Sequence, residues 1–303
     1  MTKTVVLYCD EATVHDTGEY HPESPLRMKA LLLAFEEHKL DLPMMRPEPA
    51  TDADLLRVHS RAHIDTIREC CLGGVRYPDP DTAMGAHSWD AALLSAGAGI
   101  TACKAIMAKE YDNAFVMMRP PGHHAEQDYA MGFCLFNNVA VAARWLLAEG
   151  GLERVAILDY DVHHGNGTQH AFYDDDAVLY VSLHEYPHFP GTGFPYERGK
   201  NDSNLNIQFP PGSGSEQWLT AMRDIAVPAL EAFAPEMLLL SVGFDGHRLD
   251  PLGNQLLEAQ DYGAMTRMIK HIADGRIVSF LEGGYHLTAL GQCAVSHLEA
   301  LRE

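Results

Sequence analysis

The chain has 303 residues, and its 42 Asp and Glu against 22 Lys and Arg give a formal charge of −20. That balance argues against nucleic-acid phosphate as a direct partner, because such binding draws its affinity from cationic side chains. It favours a cationic substrate such as a polyamine or a Lys-rich protein segment. Hydrophobic residues make up 47% of the sequence, enough for a large buried core, so one domain over residues 1–303 is expected.

The opening MTKTVVLYCD lacks a basic region followed by a long apolar segment, and no uninterrupted apolar run approaches the roughly 20 residues that span a bilayer. A cytoplasmic protein with no membrane partner is expected. Cys70 and Cys71 are adjacent, while Cys9, Cys103, Cys134 and Cys293 are scattered without CxxC spacing. Neither a disulfide framework nor a thiolate zinc site is indicated.

Taken in chain order, residues 4–8 read as a buried strand and 25–38 as a helix. Helical periodicity returns at 88–109, a strand at 114–118, a helix at 137–149, and strands at 155–158 and 177–183. Residues 185–215, rich in Pro and Gly, read as the longest irregular region. A functional loop is expected there, narrowing a channel or meeting a neighbouring subunit in an oligomer. A helix over 215–233, a strand at 237–242, a helix over 259–273, a strand at 277–281 and a helix over 287–301 complete the chain. Strands alternating with helices imply an α/β fold whose sheet is mostly parallel and covered on both faces.

Parallel sheets place ligand sites beyond the carboxyl ends of their strands. Here those exits read RPPGHHA, DYDVHHGNG, SLHEY, GFDGH and EGGYH, which are nearly all the dense polar clusters in the chain. Five such exits are expected to share one pocket. In an extended DYDVH run, Asp159, Asp161 and His163 project together while Tyr160 and Val162 face the opposite side. Asp161 and His163, joined by Asp245 from the GFDGH exit, make an oxygen-rich set with one imidazole, suited to a divalent first-row metal with an open position. His164 and His247 are further candidates. Parity turns His164 away from Asp161, and Asp245 is nearer its strand end than His247.

His123 and His124 offer general acid and base groups near neutral pH. Tyr285, after Gly283 and Gly284, can donate a hydrogen bond to an oxyanion. Phe133, after Gly132, can wall a narrow channel for an aliphatic chain.

Together these residues resemble the histone deacetylase superfamily, which includes bacterial acetylpolyamine amidohydrolases and acetoin-utilisation proteins. HPESPLR at 21–27, the Asp81 segment, RPPGHHA, MGFCLFNN, DYDVHHGNGTQ, SLHEY with FPGTG, GFDGHRLDP and EGGY occur in the family's order over almost the whole chain. The resemblance implies the arginase/deacetylase fold, a three-layer αβα sandwich around a mostly parallel sheet. It also implies one zinc ion per chain on Asp161, His163 and Asp245, His124 as general base and acid, and His123 as its electrostatic partner supported by Asp159. Tyr285 would polarise the scissile carbonyl, Gly132 and Phe133 would line the channel, and Asp81 would hold substrate backbone at the rim. Potassium would bind at Asp159, Asp161, His163, Ser182 and Leu183, with a peripheral site around Phe172, Asp175 and Val178.

Asn166 stands where class I members carry aspartate, which, with RPPGHHA, makes the chain class II-like. A neutral Asn stabilises an imidazolium less than a carboxylate does, so His124 is expected to hold its proton weakly. The implied reaction is hydrolysis of an N-acetyl amide, on acetyl-lysine or an acetylpolyamine, to acetate and a free amine. Two other readings are an arginase-like ureohydrolase with paired manganese ions and a non-catalytic acetyl-amine binder. The first needs more carboxylates than GFDGH supplies, and the second has no use for His123, His124 and Tyr285 together.

Overall fold

The computed structural model describes residues 2–74 and 81–303. Eight strands form one sheet in the order β2-β1-β3-β8-β7-β4-β5-β6, with every pairing parallel. In chain order these are β1 (Thr4–Leu7), β2 (Met44–Met45), β3 (Asn113–Val116), β4 (Val155–Asp159), β5 (Val178–Glu185), β6 (Asn204–Phe209), β7 (Met237–Val242) and β8 (Ile277–Leu281). The sheet is thus wholly rather than mostly parallel.

Every residue of β1, β3, β4, β5, β7 and β8 is buried, so both faces of the sheet's centre are covered by helices. That is why runs such as MLLLSV in β7 carry no polar alternation. Each such Leu, Ile or Val contributes roughly 1.5–3 kcal/mol on burial.

The principal covering helices are α1 (Leu26–Glu37), α3 (Arg61–Gly73), α4 (Ser88–Met107) and α5 (Asn138–Ala148) in the first half of the chain, after the single turn α2 (Asp52–Leu55). In the second half they are α6 (Asn166–Phe172), α7 (Ser215–Ala221), α8 (Val227–Phe233), α9 (Ala259–Ile269) and α10 (Leu287–Arg302). Helix α10 packs on α1 and α9, and α4 packs on α5. Helices α7 and α8 are joined by a π-turn at Met222–Ala226, where Pro228 lacks the N–H that would bond Asp224. Helix α4 has the length and apolarity of a membrane span, yet 72% of that stretch is buried inside the protein. Gly99 lets it approach closely, since a Cβ there would meet the Phe280 ring at 2.5 Å.

The expectation of an irregular 185–215 needs correction. Strand β6 lies within it and pairs with β5 from Tyr180↔Asn204 to Glu185↔Phe209. Its sequence NLNIQF alternates polar and apolar residues because it is an edge strand, partly exposed at Leu205 and Gln208. That alternation was readable in the sequence and was masked by the surrounding Pro and Gly. Helices α3 and α6 were also missed, the latter because its seven residues are shorter than a periodicity window resolves.

Candidate active site

The polar exits RPPGHHA, EGGYH, GFDGH and DYDVHHGNG leave β3, β8, β7 and β4, consecutive neighbours in the sheet, and so converge on one place. The fifth, SLHEY, needs correction. Ser182–Glu185 still belong to strand β5, where His184 bonds Ser182 Oγ and Gly193 O, and none of its residues lines the pocket. Strand pairing stops at Asp159 and the chain bends over 161–163, so Asp161 and His163 sit on bends rather than on an extended strand. The alternation survives the bend. Tyr160 packs into the core against Tyr262 and His297, while Asp161 and His163 turn into the site.

Asp161, His163 and Asp245 bring one ligand atom each to within 4.8 Å of one another, all buried. His163 Nδ1 lies 3.0 Å from Asp161 Oδ1 and 3.2 Å from Asp245 Oδ2. Each carboxylate is aimed by backbone N–H groups of its own or a neighbouring exit. Gly283 N–H donates to Asp161 Oδ2 at 2.8 Å, Val162 N–H to Asp245 Oδ1 at 3.0 Å, and Asp161 N–H to Asp159 Oδ1 at 3.1 Å. Any Cβ at Gly283 would collide with the Asp245 carboxylate, which explains that glycine.

Asp245 Oδ2 is buried without a hydrogen-bond partner. Burial first, and then the Asp161 charge, raise the Asp245 carboxyl above its usual range. A buried orphan oxygen beside a second carboxylate and an imidazole is what a divalent cation would satisfy, so the donor set fits a metal. His164 instead meets Thr192 Oγ1 and Gln169 Oε1, and His247 Nε2 points toward Glu258 at 3.7 Å. Neither belongs to the cluster.

The two adjacent histidines have opposite environments. His123 Nδ1 donates to Asp159 Oδ2 at 3.0 Å, and its Nε2 is 3.9 Å from Asp161 Oδ1. Burial favours loss of its proton, but Asp159 and then Asp161 outweigh it and raise the imidazole to about 10. For His124, burial and the neighbouring His123 and His163 push the value well below 6.5. Its Nδ1–H donates to Asn166 Oδ1 at 2.8 Å, leaving Nε2 free. One ring is therefore held cationic and the other neutral.

The raised His123 value gives a pH test. Its stabilising effect is fully present below the unfolded imidazole value of about 6.5 and is lost as pH rises through about 10. Asp159→Asn removes the largest attraction. Urea midpoints of metal-free wild type and variant are expected to differ most at pH 6 and to converge toward pH 10. A gap independent of pH would mean the pair is uncharged.

Tyr285 is fixed from behind. Its N–H donates to Asp250 Oδ2 at 2.6 Å, and the Arg27 guanidinium lies 5.1 Å from its ring centre. Arg27 also donates to Gly284 O at 2.8 Å and Glu282 O at 2.5 Å, and is anchored by the buried Glu23. Burial is the chief reason the Tyr285 phenol is held well above its usual value, with Arg27 opposing. It remains a donor at physiological pH. Glu282 accepts from Gly122 N–H at 2.7 Å and His123 N–H at 3.2 Å, tying the β8 exit to the β3 exit.

A pocket of about 200 Å³ opens onto this cluster, lined by Asp81, His124, Gly132, Phe133, His163, His188, Phe189, Leu252 and Tyr285. Gly132 has φ +56, and a Cβ there would strike the His124 ring. Phe133 itself sits at φ +69, an uncommon conformation for a side-chain-bearing residue. Its ring packs edge-on to Tyr285 at 5.8 Å and to His21 at 4.7 Å. His188, Phe189 and Leu252 were not singled out from the sequence. Phe189 lies in FPGTG, but that a loop residue walls a pocket is not visible in a motif.

Asp159 and Ser182 are paired across β4 and β5, with Leu183 following. Phe172, Asp175 and Val178 lie at the α6–β5 turn. There Arg144 pairs with the Asp175 carboxylate, donates to Ala171 O at 2.6 Å and covers the Phe172 ring at 4.4 Å.

The sequence matches the histone deacetylase domain model over residues 21–301. The chain belongs to the histone deacetylase family. It is 40% identical over 289 residues to a histone deacetylase-like amidohydrolase of Pseudomonas aeruginosa, covering 92% of this chain and 76% of that protein. Over 294 residues it is 38% identical to a probable deacetylase of Archaeoglobus fulgidus, covering 93% and 81% respectively. The crystal structure of the HDA15 HD domain superposes with a TM-score of 0.94 at 33% identity, covering 98% of this chain and 90% of that one. These matches make the sheet and its helices the family's fold, and family membership supports hydrolase chemistry on an acylated amine.

Proposed function

We propose that this chain is a zinc-dependent deacetylase acting as one domain, hydrolysing the amide between a short acyl group and an aliphatic amine. The observation that carries the reading is that His124, Tyr285 and His163 of the three-donor cluster line one narrow pocket, with Asp161 and Asp245 gathered behind His163 and a cationic His123 ring 4.0 Å behind a neutral His124. Asp161, His163 and Asp245 would hold the ion, which supplies Lewis acidity toward an acyl oxygen and acidifies water. His124 Nε2 takes the proton from the attacking water and passes it to the departing amine. The Tyr285 hydroxyl donates to the oxyanion as it forms. His123, kept charged by Asp159, adds a fixed positive charge beside the developing anion.

Phe133 and Phe189 would flank the methylene chain and Asp81 would meet the substrate at the rim. The net charge of −20 favours acetyl-lysine or acetylpolyamine over anionic substrates and makes a direct nucleic-acid complex unfavourable. We place the protein in the cytoplasm. A potassium ion at Asp159, Asp161, His163, Ser182 and Leu183 is in keeping with the β4–β5 pairing. At the peripheral turn, the Arg144 guanidinium already supplies a positive charge.

The ureohydrolase reading needs a second metal. Among the described residues, Asp161, His163 and Asp245 form the one group of three ligands brought together. Zinc-loaded protein assayed against acetylputrescine, acetylspermidine and an acetyl-lysine peptide is expected to release acetate from at least one. Turnover of none, with metal bound, would refute the reading.

A further inference from the structure

The residue that follows the RPPGHHA motif carries a side chain with a specific job. Glu126 is buried, with 7% of its surface exposed. Its Oε1 accepts a hydrogen bond from Asn166 Nδ2 at 2.5 Å, and Asn166 Oδ1 in turn accepts from His124 Nδ1. At the outer end, His170 Nδ1–H reaches both carboxylate oxygens, at 2.8 and 2.9 Å. The Glu126 backbone is fixed as well. His59 Nδ1 donates to its carbonyl at 2.9 Å, and its N–H donates to Tyr129 O at 3.0 Å.

The chemistry of the donors gives this chain of bonds a direction. A carboxylate only accepts hydrogen bonds, whereas an amide has one accepting and one donating end. With Glu126 in place, the Asn166 amide must turn its NH₂ outward, and its oxygen therefore faces His124. An oxygen at that position accepts, so His124 must carry its hydrogen on Nδ1, and Nε2 is left as the bare nitrogen facing the pocket. If the amide flipped, its oxygen would meet the carboxylate in a buried repulsive contact, and its NH₂ would face Nδ1, which suits only the other tautomer with its hydrogen on Nε2. The weaker contacts of Asn166 Nδ2, to His124 O at 3.3 Å and Met131 Sδ at 3.3 Å, do not impose that choice with comparable strength.

We propose that Glu126 is a positioning residue that, by orienting the Asn166 amide, selects the His124 tautomer with Nδ1 protonated and Nε2 free to accept a proton. Its catalytic consequence rests on the deacetylase reading; the tautomer itself does not. The relay runs from a surface cavity of about 320 Å³ lined by Arg57, Glu126, Tyr129, Arg144 and His170 among others. The basic nitrogen of His124 is thus chosen from the far side of the ring, away from substrate.

The test combines ring-nitrogen spectra with a network swap. In ¹⁵N-histidine-labelled protein, with the His124 signals identified by their loss in His124→Gln, wild type is expected to show one neutral tautomer, protonated at Nδ1. Glu126→Leu is expected to show both tautomers and to lower kcat about tenfold with KM unchanged. The swap reverses the polarity of the relay. Asn166→Asp places two carboxylates against each other, and adding Glu126→Gln supplies a donor to the new carboxylate. Glu126→Gln is therefore expected to lower kcat in the wild-type background and to raise it about tenfold in the Asn166→Asp background. A single unchanged tautomer in both Glu126 variants, or the same effect of Glu126→Gln in both backgrounds, would overturn the proposal. If no acetylated amine were turned over, the proposed function would fall while the spectra still decided the role of Glu126.

Discussion

Tyr285→Phe is expected to lower kcat by about 10²–10³, roughly 2.7–4 kcal/mol of lost transition-state stabilisation, while leaving metal content unchanged. The variant removes one oxygen and little else. The ring's edge-on contact with Phe133 at 5.8 Å and its approach to Arg27 at 5.1 Å do not use the hydroxyl. The backbone N–H of residue 285 still donates to Asp250. The loop should therefore hold its shape, and the three proposed ligands lie on other strand exits. Metal analysis and kinetics on the same preparation separate the effects. Activity within about threefold of wild type would remove the phenol from the chemistry, whereas joint loss of metal and turnover would make Tyr285 a structural residue.

Asp245→Asn should abolish activity by a different route, through loss of the metal. The amide keeps an acceptor for Val162 N–H but not the charge, and it weakens a three-ligand site that has no spare donor. Stability should move the opposite way. Burial and the Asp161 charge hold the Asp245 carboxyl above its usual range, so the metal-free wild type carries like-charge strain that the amide relieves. Metal-free Asp245→Asn is expected to melt no lower than metal-free wild type. Wild type alone should gain on adding zinc, about 4 kcal/mol at a thousandfold excess over Kd. Equal zinc-induced shifts in both proteins would place the cation elsewhere.

Function here is bound to an unfavourable arrangement. Three carboxylates, Asp159, Asp161 and Asp245, and three imidazoles, His123, His124 and His163, share a buried site, and the fold tolerates them because each is held by a backbone N–H or a buried partner. The supporting residues Glu23, Arg27, Asp250 and Glu282 do not face substrate. They fix the loops that do, which is why positions outside the pocket are expected to affect catalysis.

Much of this was readable from local pattern. Buried strands announce themselves as short apolar runs, and a parallel sheet puts its ligand groups at their carboxyl ends, so Asp161, His163 and Asp245 stand out in the sequence. The opposite alternation of Tyr160 and Val162 is also local, because neighbouring side chains of a strand must point apart. Tertiary structure decided which exits are neighbours, since β3 and β8 or β4 and β7 adjoin despite wide separation in sequence. It decided that β6 completes an edge, that Phe189 and Leu252 wall the pocket, and that Arg27 reaches Gly284 across 257 positions. The Asn166 amide shows the division most sharply. The residue is in the sequence, but which end faces His124 depends on a carboxylate forty positions away. Periodicity records how deeply a residue is buried. Which partner it meets there depends on how separate segments pack.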